Sequence, residues 1–368
     1  MKSENRPFFS IIVPCCQVAR YVDDMAASVR GQSFADWECI LSVEESSDAT
    51  EAKCRAVASA DARFRVITGP RSGSPATPRN RGLSLAKGRY VLWLDGDDWL
   101  ADGALAQLAA AIRAHGEPDV VQGTATEYRE DAQGGRTFVA RHVNFRPTDM
   151  GRILTGEEAM VWFSESPRYI QPMAALSVCR RDFLLAQGLT FRPGLKYEDN
   201  EWTARVLTFA RRLLPVDFDV FVYRHRPGSI TTVTGTDFVQ YAEVVRHLFS
   251  FFAEQRPSER LARAWARRYL SFFFDLYFTD RYPVGPAGFP AHVRTACLRR
   301  VLEKGGRRAY LKLTRPAGFP KKLAAPLVLL CGLHPLLDLP ARAYFKYLYY
   351  PLVLWRIRWV NSHGTASF

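Results

Sequence analysis

The sequence predicts an α/β fold: a mostly parallel sheet with helices on both faces, followed by a basic and mainly helical C-terminal region. In the first 100 of 368 residues, short apolar runs alternate with amphipathic stretches, a pattern typical of parallel strands buried on both sides. From Asp237 onward, 21 Lys and Arg stand against eight Asp and Glu. This part therefore carries the whole net charge of +13, and the residues before it are neutral.

The spacing of apolar residues sets the elements of the N-terminal part. Strands are expected at the short apolar runs, residues 8–14, 37–43, 64–69 and 90–94. Helices are expected at the amphipathic stretches between them, residues 21–32, 48–60 and 77–88. Asp48 is a candidate N-cap for the second helix, and Asp102 for a helix at residues 99–116. Thr155 and Glu158 have the spacing of a capping box.

The following segments alternate in a similar way. They comprise strands at residues 119–130 and 136–145, a strand and helix at 174–188, a loop and helix at 195–212, and a strand and polar loop at 219–232. From about Asp237 the pattern changes to long helical stretches. We therefore predict a domain of residues 1–236 and a C-terminal region of residues 237–368.

Cysteine usage and the N-terminus indicate the compartment. The seven cysteines are scattered and form no CxxC pair, which favours reduced thiols in the cytoplasm. The N-terminus is too polar, and its apolar run too short, for a signal peptide. A hydrophobic content of 48% excludes a disordered chain.

The basic C-terminal region suggests an anionic partner or, alternatively, a solvated basic face. Residues 323–339 are apolar, but Pro326, Pro335 and Asp338 interrupt them, which argues against a membrane-spanning helix. Aromatic residues are then interleaved with basic ones, at Arg342, Lys346, Arg356 and Arg358. This pattern favours peripheral contact with the inner face of the plasma membrane, and a core helix pair is the alternative. No nucleic-acid-binding module is recognisable, so nucleic acid is not an expected partner.

Three aspartates follow the fourth predicted strand, in the stretch LDGDD: Asp95, Asp97 and Asp98. Glu44 follows the second strand, and parallel strands bring both positions to the same edge of a sheet. The aspartates could cap a helix, bind Mn²⁺ or Mg²⁺ through carboxylate oxygens, or include a phospho-accepting residue. The last interpretation fits poorly, because no lone lysine on a late strand accompanies it.

Other charged residues are compatible with a nucleotide site. Arg79 lies on the helix before the fourth strand and could reach a phosphate or a base, although a surface arginine is equally compatible. Glu198 and Asp199 begin a predicted helix, where the helix dipole alone would favour acids.

Together these segments resemble the nucleotide-sugar-binding half of family 2 glycosyltransferases with the GT-A fold. The resemblance rests on FFSIIVP, SVRGQSFADWECIL and PRNRGLSLAKGRYVLWLDGDDWL; it covers residues 8–100 well and 170–232 more loosely. It implies an inverting, metal-dependent enzyme that moves a sugar from a nucleoside-diphosphate sugar, a UDP-sugar first among them. The acceptor would be a glycan or a lipid-linked molecule in cell-surface polysaccharide or glycoconjugate synthesis. No QxxRW-like segment is present, which favours a non-processive enzyme.

The resemblance also assigns roles on the donor side. Asp95-Gly96-Asp97 corresponds to the DxD motif of the family, in which Asp95 would face the nucleotide ribose and Asp97 would reach the metal on the diphosphate. Arg79 corresponds to the arginine of the RNxGL segment and is assigned to the nucleotide site.

On the acceptor side, the reaction needs a base for the acceptor hydroxyl and a cation for the departing diphosphate. The resemblance assigns the base to Asp199, with Glu198 supporting it or binding the acceptor. In similar enzymes the loop that begins at Arg224, His225 and Arg226 closes over the diphosphate. His225 could be a further metal ligand or a structural histidine, and Arg226 could neutralise phosphate.

Two departures from the family pattern concern the base pocket. After Pro14, where the family usually has Tyr-Asn, this chain has Cys15-Cys16-Gln17. After the second strand, the usual Asp-Asp-Gly-Ser is replaced by Val43-Glu44-Glu45-Ser46, so Glu44 keeps an acid in place. Pro14 and Glu44 are therefore assigned to the nucleotide site, while the identity of the base stays open.

Two rival functions are compatible with the same motifs. A sugar-phosphate nucleotidyltransferase would use a similar metal site but would not need Asp199. A non-catalytic relic of the fold that binds a sugar or a nucleotide is the second rival, since the base pocket is altered. The sequence does not predict an oligomeric state.

Overall fold

A computed structural model of the chain describes residues 6–131, 133–166, 172–225 and 237–255, and some positions between residues 257 and 268. The chain divides into two compact units. One consists of residues 1–162 and 170–229, and the other of residues 163–169 and 230–368. The first unit contains the sheet. In the second unit the described part is mainly one helix, residues 237–255. Phe252 of this helix packs on Trp265, which follows the helix, with ring centroids 4.7 Å apart.

The described strands are, in chain order, β1 (Phe9–Cys15), β2 (Trp37–Glu44), β3 (Phe64–Gly69), β4 (Tyr90–Trp93), β5 (Trp99–Leu100), β6 (Val120–Glu130), β7 (Arg136–His142), β8 (Ser177–Arg180) and β9 (Leu213–His225). The described helices are α1 (Val22–Arg30), α2 (Thr50–Ala60), α3 (Ala76–Leu85), α4 (Ala104–Ala114), α5 (Gly156–Glu165), α6 (Arg181–Ala186), α7 (Glu198–Phe209) and α8 (Asp237–Gln255).

All strands of the described residues belong to one sheet with the order β3-β2-β1-β4-β8-β6-β9-β5, and β7 pairs with β6. Strands β1 to β4 are parallel where they pair, and β6 is parallel to β9. Strand β8 runs antiparallel between β4 and β6, so these two also share a direction. The predicted α/β class is thereby confirmed, and the described sheet is mixed, since β5, β7 and β8 pair with it in the antiparallel direction.

Both faces of the sheet carry helices. On one face, alternate residues of β1 such as Ile11 and Val13 join a buried cluster with residues of α1, α2 and α4. On the other face, α3 lies so close to β1 that a Cβ on Gly82 would stand 2.4 Å from Ile12 Cγ2. Only glycine allows this approach, which places α3 and its residue Arg79 beside the end of β4.

The capping box is confirmed, since the Glu158 N–H donates to Thr155 Oγ1 at 3.2 Å and the Thr155 N–H to Glu158 Oε2 at 2.7 Å. The helix predicted within residues 99–116 is present, but Asp102 is not its N-cap. Helix α4 begins at Ala104 after Gly103, whose φ is 69°, and Trp99 pairs with Val222 of β9 instead. This pairing across the sheet overrides the local helical pattern.

Helix α2 begins at Thr50 after Ala49, so Asp48 is not its N-cap; its carboxylate still accepts the Thr50 N–H at 3.1 Å. Five cysteines lie in the described residues, and all five are free thiols. The helices of the described residues are all too short or too polar to cross a membrane. The predicted membrane-surface segment at residues 323–358 lies outside the described residues.

Candidate active site

The acidic turn, residues 95–98, follows β4 at the carboxyl edge of the parallel strands. The Asp98 N–H donates to the Asp95 carbonyl at 3.0 Å, which closes the turn. Gly96 packs against β1, where a Cβ would stand 3.0 Å from the Pro14 carbonyl oxygen. Pro14 and Gly96, both assigned to the nucleotide site from the sequence, therefore lie side by side, and a side chain at residue 96 would crowd the Pro14 carbonyl.

Arg79 of α3 joins the acidic turn to the second carboxylate pair. Its Nη2 donates to Asp95 Oδ1 and its Nη1 to Glu198 Oε1, each at 2.7 Å. The Arg79 side chain is 5% exposed and that of Glu198 is 8% exposed, whereas Asp95 is 38% exposed. The structure thus brings together three residues that the sequence predicted separately.

Aromatic packing holds the start of α7 in this position. The Trp202 ring stacks on Phe191 with centroids 4.6 Å apart, and both rings contact Trp93 at the end of β4. The Arg79 guanidinium lies 5.1 Å from the Phe191 ring centroid. Helix α7 begins after Tyr197, whose φ of 64° turns the chain sharply into the site. Trp93, Phe191 and Trp202 were not predicted, because a single sequence does not show which aromatic residues meet.

The carboxyl groups of the second pair have altered acidities. Burial raises the pKa of Glu198 to about 7, against the lowering effect of Arg79. Burial likewise raises the pKa of Asp199 to about 6, while Arg79 and the hydrogen bonds from Asn200 oppose this. Burial alone would lower the pKa of Arg79, but Asp95 and Glu198 raise it above its ordinary value. Arg79 is therefore a permanent cation next to two carboxyl groups that titrate near neutral pH.

Asp98 differs from Asp95 and Asp97, which are half-buried. It is buried, and its Oδ1 accepts the Arg224 N–H at 2.8 Å. Burial and then the carboxylates of Asp97 and Asp95 raise the pKa of Asp98 well above its ordinary value. The sequence left helix capping as a role for Asp98; instead it fastens the acidic turn to β9.

At the same edge of the sheet, Glu44 ends β2 and is buried. Its Oε1 accepts the Ser72 hydroxyl at 2.6 Å, a contact that the sequence did not indicate. Gln17 follows the cysteine pair with a φ of 56°, and its Nε2 donates to Ser47 Oγ at 2.9 Å. The Gln17 N–H also donates to Ser46 Oγ at 3.1 Å, so hydrogen bonds join the two segments that depart from the family pattern.

The remaining predicted residues lie at the end of β9. His225 is the last residue of this strand and pairs with Arg129 of β6. Arg226 lies outside the described residues. Within the part of the chain that the structure describes, no three His, Cys, Asp or Glu side chains are arranged as a metal site.

Residues 10–177 match the family model described as Glycosyl transferase family 2. Glycosyltransferase GlyG of Streptococcus pneumoniae serotype 4 is 24% identical over 222 residues, which are 60% of this chain and 72% of GlyG. The UDP-Glc:alpha-D-GlcNAc-diphosphoundecaprenol beta-1,3-glucosyltransferase WfgD of Escherichia coli is 30% identical over 105 residues, 28% of this chain and 41% of WfgD. The second match thus spans less than half of its relative.

Among solved structures, S. aureus TarS 1–349 in complex with UDP-GlcNAc has a TM-score of 0.66 to this chain. The two are 18% identical, and the similarity covers 92% of this chain and 91% of that one. At this level of identity, the similarity is evidence for the fold alone.

Proposed function

Because this chain belongs to glycosyl transferase family 2, we propose that it transfers a sugar from a nucleoside-diphosphate sugar to a hydroxyl group of a glycan or lipid-linked acceptor. The observation that carries the proposal is the pair of 2.7 Å contacts by which Arg79 holds Asp95 beside Glu198. Asp95, assigned to the donor, and the pair Glu198 and Asp199, assigned to the acceptor, are then close enough to serve one reaction.

The donor is proposed to be a UDP-sugar. TarS is described in complex with UDP-GlcNAc, and WfgD is named for its use of UDP-Glc. WfgD is also named for a diphosphoundecaprenol acceptor, which supports a lipid-linked acceptor in polysaccharide synthesis here. Pro14 and Glu44 are proposed to line the base pocket, and Asp95 is proposed to face the ribose.

Asp199 is the proposed general base. It would take the proton of the acceptor hydroxyl as that oxygen attacks the anomeric carbon and the bond to the diphosphate oxygen breaks, with inversion. A pKa of about 6 leaves Asp199 mostly ionised at neutral pH, yet more basic than an ordinary aspartate. Glu198, tied to Arg79, would orient Asp199 or bind the acceptor.

The acidic turn fits a divalent cation. Three carboxyl groups lie within four residues at the carboxyl edge of the parallel strands, and two of them, Asp95 and Asp97, are only partly buried. Carboxylate oxygens suit Mn²⁺ and Mg²⁺, which commonly need only one or two of them beside substrate phosphates. Asp97 would hold the cation, with His225 as a further ligand. When bound, the cation would supply positive charge to the leaving diphosphate.

The substitution Asp199→Asn tests the proposal, with UDP release from a panel of UDP-sugars and lipid-linked acceptors as the assay. We expect turnover to fall by about 10²–10⁴-fold, because the amide cannot accept the proton. Stabilisation by a UDP-sugar with Mn²⁺ in thermal unfolding should persist, since donor binding does not need the base.

Asp182→Asn is the matched control, because the Asp182 side chain is 74% exposed on α6. This variant should keep full turnover. Full turnover in Asp199→Asn would remove Asp199 from the role of base, and the absence of any nucleotide-sugar binding by the unaltered chain would contradict the whole proposal.

A further inference from the structure

Arg224 is a buried arginine that contacts the acidic turn and has no role in the chemistry proposed above. It is 3% exposed and stands one residue before the end of β9. Its backbone N–H donates to Asp98 Oδ1 at 2.8 Å, and its Nε–H donates to the carbonyl oxygen of Asp97 at 2.9 Å. One residue therefore holds two successive positions of the turn.

The Arg224 side chain is itself fixed by several elements. Its Nη1 donates to Glu130 at the end of β6, and its Nη2 donates to Asp24 Oδ2 of α1 at 2.8 Å. The guanidinium also lies 4.7 Å from the ring centroids of Tyr21 and Trp99. A planar guanidinium that is paired along its edges and stacked on rings has little freedom to reorient.

The main chain on either side of Asp97 is attached to the sheet. Before it, Asp95 follows β4, and the Asp95 carbonyl accepts the Asp98 N–H. After it, Trp99 pairs with Val222 of β9. Arg224 acts between these two attachments, at the carbonyl of Asp97 itself. A change at Arg224 would therefore remove the anchor at the Asp97 carbonyl and loosen the peptide between Asp97 and Asp98, whose N–H stays bonded to the Asp95 carbonyl.

We propose that Arg224 is a positioning residue for Asp97: by holding the Asp97 carbonyl oxygen and the Asp98 carboxylate, it sets the direction of the Asp97 carboxylate and hence the affinity of the site for Mn²⁺. This inference rests on the proposed function, in which Asp97 holds the cation. Groups that orient a metal ligand without touching the metal typically change its affinity about 10–100-fold.

Mn²⁺ binding to the full chain, followed by electron paramagnetic resonance with and without UDP, tests the inference. Arg224→Lys keeps the charge, but a lysine cannot reach the Asp97 carbonyl, Glu130 and Asp24 together. We expect its Mn²⁺ dissociation constant to rise about tenfold or more. Because the defect is one of affinity, saturating Mn²⁺ should restore its kcat, whereas a general folding defect would not be restored.

Arg136→Met is the matched control. Arg136 of β7 shares Asp24 and the Trp99 ring with Arg224, with a 3.3 Å hydrogen bond to Asp24 and a 4.5 Å distance to the ring centroid. Its Mn²⁺ affinity should stay within about twofold of the unaltered chain. Glu130→Gln, which weakens one anchor of Arg224, should weaken Mn²⁺ binding in the same direction but to a smaller extent.

Two outcomes separate this inference from the proposed function. If Asp97→Asn binds Mn²⁺ as tightly as the unaltered chain, the role of Asp97 is wrong and the inference falls with it. If Asp97→Asn loses affinity but folded Arg224→Lys does not, only the positioning role of Arg224 is overturned. If Arg224→Lys does not fold, unchanged Mn²⁺ affinity in Glu130→Gln overturns the inference.

Discussion

The carboxyl groups of Glu198 and Asp199 stand in an environment where burial and one arginine act in opposite directions. Burial disfavours the ionised forms and dominates, so the pKa of Asp199 rises to about 6 and that of Glu198 to about 7. Arg79 limits the rise in both cases. A base of this strength is matched to work near neutral pH, which an aspartate in water is not.

The pH dependence of turnover follows from this environment. Asp199 must be ionised to accept a proton, so kcat/KM should be constant above about pH 7. As the pH falls through about 6, the ionised fraction falls and kcat/KM should decline, approaching tenfold per pH unit.

An ordinary aspartate would place this decline near pH 4. Measurement of kcat/KM between pH 5 and 8, with circular dichroism to show that the chain stays folded, checks the prediction. A constant kcat/KM down to pH 5 in a folded enzyme would rule out Asp199 as the titrating base.

At the scale of elements, the site depends on how α3 is joined to the segment that precedes α7. Asn80, next to Arg79, donates from Nδ2 to the Phe191 carbonyl at 2.7 Å and accepts the Phe191 N–H at 2.8 Å. Phe191 in turn stacks on Trp202 of α7. The Asn80 side chain therefore satisfies both backbone groups of Phe191, as a neighbouring strand would. It thereby keeps α3, which carries Arg79, next to α7, which carries Glu198 and Asp199.

Replacement of Asn80 tests this connection. Asn80→Ala leaves the Phe191 N–H and carbonyl without these partners, so we expect the free energy of unfolding to fall by about 1–3 kcal/mol in urea titration. Ser84→Ala on the same helix is the control, because Ser84 is exposed and its hydroxyl donates only to the Arg81 carbonyl. It should change stability by less than about 0.5 kcal/mol. Equal stability of the two variants would contradict the role of Asn80.

Local patterns predicted the elements that depend on nearby residues. Strands β1 to β4 and the acidic turn at their edge follow from apolar runs and from the rule that parallel strands share an edge. The contact of Arg79 with Glu198 spans 119 positions, and that of Arg224 with Asp97 spans 127. Such contacts depend on the order of strands in the sheet, which one sequence does not encode locally. The pairing of Trp99 with Val222, which moves the start of α4 to Ala104, has the same origin.

For the whole molecule, the distribution of charge separates two tasks. Residues 1–236 are neutral, and their buried arginines are paired with acids around the acidic turn. The entire net charge of +13 belongs to residues 237–368. Chemistry and attraction to an anionic surface would thus belong to different parts of the chain, so that each can be altered without the other.

Vesicle binding tests this division. We expect the full chain to sediment with vesicles that contain phosphatidylglycerol at low salt, but less at high salt and not with phosphatidylcholine alone. Changing Arg342, Lys346, Arg356 and Arg358 together to Gln should weaken binding by up to about 4 kcal/mol, because each surface-near cation contributes about 1 kcal/mol.

The matched control removes the same charge from the catalytic part. The four arginines to be changed to Gln have side chains more than half exposed: Arg20, Arg55, Arg89 and Arg152. If the predicted membrane-surface segment, residues 323–358, forms the docking surface, this variant should keep most of its vesicle affinity, although its net charge equals that of the C-terminal variant. Equal losses in the two variants would show that attraction depends on total charge alone. Binding to duplex DNA as tight as to the vesicles would contradict a membrane partner.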